Sequence, residues 1–194
     1  MAKPETSASD PRPIIIASAL ELAVEHGWSH VSMTEIAERA KLSPGELRKH
    51  LPTKAGLIEL IVRDTDAHVG EQADVSKEDG TARERLFDVL MSRFDHLSAN
   101  REGIAAVLRD SLADPVTLAR RLCCFASSMK LMLEIAHIST SGPFGALRIK
   151  GGIAIYATAF RAWLKDDSND LSKTMVALDK ALIQAEKIAQ RLPA

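Results

Sequence analysis

Residues 41–54, KLSPGELRKHLPTK, gather four cations, Lys41, Arg48, Lys49 and Lys54, against one acid, Glu46. His50 adds a further donor. Such a local excess suits contact with a few duplex phosphates, and nearby hydroxyls add hydrogen bonds to phosphate oxygens. The candidate DNA-contacting set is Ser32, Thr34, Ser43, Pro44, Gly45, Glu46, Arg48, Lys49, His50 and Lys54. With a helix N-terminus in the major groove, Ser43, Gly45, Glu46 and Lys49 would lie near base edges. Gly45 would allow close backbone approach, and Glu46 could accept from a cytosine amino group. Ser32, Thr34, Arg48, His50 and Lys54 would hold phosphates. Spacing alone leaves another reading open: the cations are a solvated face, and Ser32, Ser43 and Thr53 are only helix caps.

A second set of residues suits an apolar cavity. Phe94, Leu108, Phe125, Met129, Met132, Leu133 and Phe160 sit at helical spacing. Methionine adapts to irregular ligands. The same stripe is equally what a plain core requires.

Catalytic chemistry finds little support. The six histidines, His26, His30, His50, His68, His96 and His137, are scattered without an HExxH motif. Cys123 and Cys124 read as buried inert thiols, and His137 near them makes no nucleophile constellation. Asp166 to Asp170 lacks the glycine and distant glutamate of a calcium loop and reads as a helix cap. Gly142–Gly145 and Gly151–Gly152 follow no strand and precede no Lys-Ser/Thr, so they are not a phosphate loop. The expectation is a protein that is not an enzyme and has no metal and no cofactor.

The 194 residues allow one ordinary domain or two small ones. Hydrophobic residues at 46% and charged residues at 26% exclude a disordered or collagen-like chain. A net charge of −1 means that any nucleic-acid contact must come from a local patch. Aromatics at 4% argue against a base-stacking single-strand binder. Adjacent cysteines form no disulfide framework. No apolar run reaches the length of a membrane span, and the tail before Ile14 lacks the net positive charge of a signal peptide. A cytoplasmic protein without membrane insertion is expected.

The elements that would position these residues are all helical, so the class is all-α. Residues 1–12 read as a disordered tail. Pro13 opens a helix to His26 with Ile16, Leu20, Ala23 and Val24 inward, and Gly27 ends it. Ser32 and Glu35 fit a capping box for a second helix, with Ile36, Ala37 and Ala40 inward. Ser43-Pro44 starts a third helix to about Leu51, and Thr53 caps a fourth from Lys54 to about Asp74. Longer helices are predicted over 82–99, 102–112, 115–137 (opened by Asp114-Pro115), 146–165 and from about 171 onward, with a joint at 75–81. The result is about nine helices: a helix-turn-helix domain at 13–62, then a larger helical domain at 63–194.

The segment Ala19 to Val62 resembles the TetR family of bacterial transcription regulators. The shared features are Gly27-Trp28, Ser32, Ile36-Ala37, Ser43-Pro44-Gly45, and Thr53-Lys54 with Leu57. The sequence differs at Lys41 (usually Gly), Glu46 (a small hydroxyl residue), Arg48 (Tyr) and Leu51 (Phe). The resemblance implies a homodimer on a palindromic operator in double-stranded DNA, most simply a repressor. It also implies a small apolar effector that changes the separation of the two recognition helices. It places the dimer interface on the last two helices, for which Ile153, Tyr156, Met175, Leu178, Leu182 and Ile183 are the candidates.

The segments Arg83–Leu97 and Ala162–Leu182 are also similar to a TetR-fold lipid-binding family of coenzyme Q biosynthesis. That likeness implies isoprenoid binding with a vestigial helix-turn-helix. The membrane-binding helix that follows the last helix in that family has no counterpart before Ala194, which favours the regulator.

Overall fold

The structure is a computed structural model that describes residues 10–73, 80–111 and 115–190, with side chains except at 111 and 115–123. The expected tail up to residue 9, joint residues 75–79, the cap Asp114, and the side chains of Leu118, Leu122 and Cys123 lie outside what is described. Among the described residues there are nine α-helices, one 3-10 turn and no strand. They are α1 (Arg12–His26), α2 (Met33–Arg39), α3 (Pro44–His50), α4 (Leu57–Gln72), α5 (Ala82–Ser98), α6 (Arg101–Ser111), α7 (Pro115–Ile135), α8 (Gly145–Trp163) and α9 (Ser172–Ala189). The chain forms two compact units, residues 1–64 with 100–118, and residues 65–99 with 119–194.

In the first unit, α1 buries Ile15, Ile16, Ala19, Leu20, Leu22 and Ala23. Val24, expected on that face, is instead 51% exposed: one residue beyond Ala23, the helix has turned it outward. Gly27 ends α1 at φ 78°, a conformation open to glycine at little cost. Ile36, Ala37 and Ala40 close α2 onto the core. α2 ends in a Schellman motif, with Lys41 N–H on the Glu38 carbonyl and Leu42 N–H on that of Ala37. Lys41 therefore takes φ 56° without being glycine. α4 does not begin directly on a capped Thr53. The Thr53 hydroxyl makes no cap bond, and Lys54–Gly56 first form a 3-10 turn.

α6 packs with these helices although it follows α5 in the chain. A Cβ on Gly103 would stand 2.5 Å from Leu20 Cβ and 2.9 Å from the Leu20 carbonyl oxygen, so glycine sets how closely α6 approaches α1.

The core of the second unit is built on the stripe Leu86, Leu90, Phe94 and Leu97 of α5. Phe94 stacks on Tyr156 with centroids 5.0 Å apart, and Phe160 and Trp163 complete the aromatic group. Trp163 Nε1 donates to Ser98 Oγ at 3.0 Å, which satisfies its buried N–H. One ion pair is built into this core. Arg93 is 3% exposed, pairs with Asp66, donates to Ser128 Oγ at 2.8 Å, and lies over the Tyr156 ring. Burial alone would lower the arginine's pKa; its interactions with Tyr156 and Asp66 outweigh it and raise the value. α7 ends in a second Schellman motif, with His137 at φ 55°, two residues short of the expected end.

Asp166, 1% exposed, accepts from Thr174 N–H and Oγ at 2.8 and 2.6 Å and from Ser168. It thereby organises the start of α9.

Candidate nucleic-acid interface

α2 and α3 are each seven residues long, too short to be stable alone, and each is fixed by a capping box and by buried apolar residues. In α2, Ser32 N–H donates to Glu35 at 2.7 Å and Glu35 N–H donates to Ser32 Oγ at 3.2 Å. In α3, Glu46 N–H donates to Ser43 Oγ at 3.2 Å, while Ser43 N–H and Oγ donate to the Glu46 carboxylate at 3.0 and 2.7 Å. Leu47 and Leu51 are buried beneath α3. The opposite side of α3 is open: Ser43, Pro44, Gly45, Glu46, Arg48, Lys49 and His50 are all exposed, as are Ser32 and Thr34 on α2. Arg48, Lys49 and His50 occupy the last turn of α3, where cations also suit the helix dipole.

Two expected roles look different in this geometry. The Glu46 carboxylate is folded back on the N-cap. The hydrogen bonds from Ser43 hold its pKa below the usual carboxylate range, with nearby Lys49 adding to the effect. This second S-x-x-E box was legible in the sequence by the same rule that marks Ser32 to Glu35. Lys54 is half-buried: its ammonium donates to the Ser29 carbonyl at 3.1 Å and lies 4.7 Å from the centre of the Trp28 ring. Desolvation lowers its pKa, opposed by Asp110 and Glu35. Sequence reasoning missed Ser29 and Asp110, which meet across 81 positions of chain, a separation that leaves no local signal.

Of the expected cavity residues, Leu108 lies in the first unit and the other six in the second. Phe94, Met129, Met132 and Leu133 are buried there, and Phe125 and Phe160 are half-buried. Of the expected interface residues, Tyr156, Leu178 and Leu182 are taken up by the chain's own core, whereas Ile153, Met175 and Ile183 are half-buried. No helix is long and apolar enough to cross a membrane, and no metal-holding group of three ligands occurs, both among the described residues.

Two short helices joined by a tight turn, the second presenting an open cationic face, form a helix-turn-helix, the arrangement that can lay its second helix in a DNA major groove. The family of bacterial regulatory proteins, tetR family, matches residues 15–61. The fold is that of a TetR regulator from Nitrosomonas europaea ATCC 19718, at 22% identity and TM-score 0.75, covering 92% of this chain and 99% of that one. It is also that of a TetR regulator from Rhodococcus sp. RHA1, at 18% identity and TM-score 0.64, covering 90% and 95%. A third similar structure is FadR from Bacillus subtilis, solved in complex with stearoyl-CoA, at 17% identity and TM-score 0.59, covering 89% and 96%. No curated protein matches the chain. Residues 15–61 are thus similar to the tetR family, and the nine helices among the described residues share the fold of these regulators.

Proposed function

We propose that the protein acts as a cytoplasmic homodimer on a palindromic operator and represses transcription until a small apolar effector releases it. The open face of α3 carries this reading: Arg48, Lys49 and His50 stand free on a short helix whose other side is locked by Leu47 and Leu51. Ser43, Gly45 and Lys49 read base edges, while Arg48, His50, Ser32 and Thr34 hold phosphates. Glu46 caps α3.

Support for the effector comes from the apolar side chains Phe94, Met129, Met132, Leu133 and Phe160 gathered in the second unit, and from the stearoyl-CoA bound by the Bacillus relative. The domain division at 13–62 and 63–194 follows the two roles, reader and sensor. α6 departs from it in packing with the reader.

Selection from a random duplex library by the purified protein tests the reading. Enrichment of a palindrome is expected, and Lys49→Ala should both weaken binding and change the preferred sequence. Failure of the folded protein to enrich any sequence would sink the proposal.

A further inference from the structure

The α1–α2 loop is gripped from two sides at a single residue. Ser29 N–H donates to Asp110 Oδ2 at 2.9 Å, and the Ser29 carbonyl accepts from Lys54 Nζ at 3.1 Å. Lys54 also lies over Trp28, and Asp110 comes near Gly27, where an added Cβ would stand 3.8 Å from its Oδ2. The loop thus sits between an acid from α6 and a base from the turn that opens α4. Three residues further on, Ser32 caps α2, and α2 carries α3.

We propose that Asp110 and Lys54 form a clamp that positions the DNA-reading helices, so that Asp110 is a positioning residue for DNA binding without touching DNA. The inference rests on the DNA-binding reading above. Its physical content is a matter of sign. Asp110 is an exposed carboxylate in the unit that must approach a polyanion. Electrostatics alone therefore predicts that deleting it tightens binding. A clamp predicts the reverse, because an unanchored loop lets the cap of α2 wander and adds an ordering cost to each binding event. Lys54 divides the two roles in the same way. A lysine on a phosphate lowers the salt slope when removed, by about one unit of log K per log salt, whereas a lysine in a clamp weakens binding at constant slope.

The test compares the full-length wild type with Asp110→Ala, Asp110→Asn and Lys54→Ala, using the duplex that the wild type enriches. Amide hydrogen exchange at Ser29 is read in parallel. Asp110→Ala should weaken binding about 10-fold, the scale of one lost charge-assisted hydrogen bond. Asp110→Asn keeps an acceptor oxygen and should stay close to wild type. Lys54→Ala should weaken binding with an unchanged salt slope. Exchange at Ser29 should accelerate in Asp110→Ala. Equal or tighter binding by Asp110→Ala would overturn the clamp, as would a reduced salt slope in Lys54→Ala. If the wild type enriches no duplex, the DNA reading fails separately. Ser29 exchange then decides the clamp alone, and unchanged exchange would sink it.

Discussion

Glu46 and Lys41 show how a single side chain can be read two ways. Glu46 stands on the exposed first turn of α3, where an acid can read a cytosine amino group or cap a helix. The structure spends both its carboxylate and its amide on Ser43. Glu46→Gln keeps the capping geometry and deletes the charge. Affinity for all duplexes should rise several-fold, the direction for one fewer anion near phosphates, with the preferred sequence unaltered. A changed preference in a library selection would mean that Glu46 reads a base. Lys41 holds φ 56° at the turn, so Lys41→Gly should stabilise the protein by about 0.5–1 kcal/mol. The denaturation midpoint checks this, and a lower midpoint would mean that the lysine stem packs against something more valuable than the strain it carries. The glycine usual at this position in TetR regulators marked the turn, but only the backbone angle shows that the lysine meets the same demand.

At the scale of elements, helical spacing and caps were enough to place the nine helices found among the described residues, because those signals are local. What they could not carry is which helices meet. α6 reads in sequence as another amphipathic helix, yet Gly103 lets it lie against Leu20 of α1. Arg93, which no local pattern singles out, is buried against Asp66 of α4 and Ser128 of α7. Partners so far apart leave no trace in a single sequence. Two glycines test the packing. Gly103→Ala drives a methyl into backbone and should cost about 1–3 kcal/mol, whereas Gly152→Ala crowds only the flexible Met129 side chain, with Leu133 at ordinary contact distance, and should cost less. Denaturant midpoints of the two variants give the order, and the reverse order would contradict the α1–α6 contact. Asp166 supplies a pH test. Burial would raise its pKa, but hydrogen bonds from Ser168 and Thr174 dominate and hold it well below the usual carboxylate range. A folded value below the unfolded one means stability that is present above about pH 4 and lost as pH falls below it. Asp166→Ala should therefore be less stable at neutral pH and lose less on acidification. Parallel acid limbs for variant and wild type would refute that role.

At the scale of the whole molecule, the proposed dimer raises the question of how its two reading helices would act together. A palindrome demands a two-fold axis, and an isologous interface must come from surface the protomer leaves open. Tyr156, Leu178 and Leu182 are already buried inside one chain, so they would shape the proposed interface only from beneath. Ile153, Met175 and Ile183 are half-buried, while Ala157 of α8 and Val176 of α9 are exposed. These open positions are where a second copy would seat, and a charge there should separate the protomers without disturbing either core. Ala157→Arg and Val176→Glu should each give a folded monomer by sedimentation, with a wild-type far-ultraviolet circular dichroism spectrum. On DNA the consequence is quantitative. Each protomer releases its own counterions, so the slope of log K against log salt should fall to roughly half in the monomer. Affinity for the full palindrome should fall at least 10-fold, since the second reading helix no longer binds as part of one body. A variant that stays dimeric would remove α8 and α9 from the interface. A monomer that keeps the full salt slope and full affinity would show that one copy suffices to read the operator.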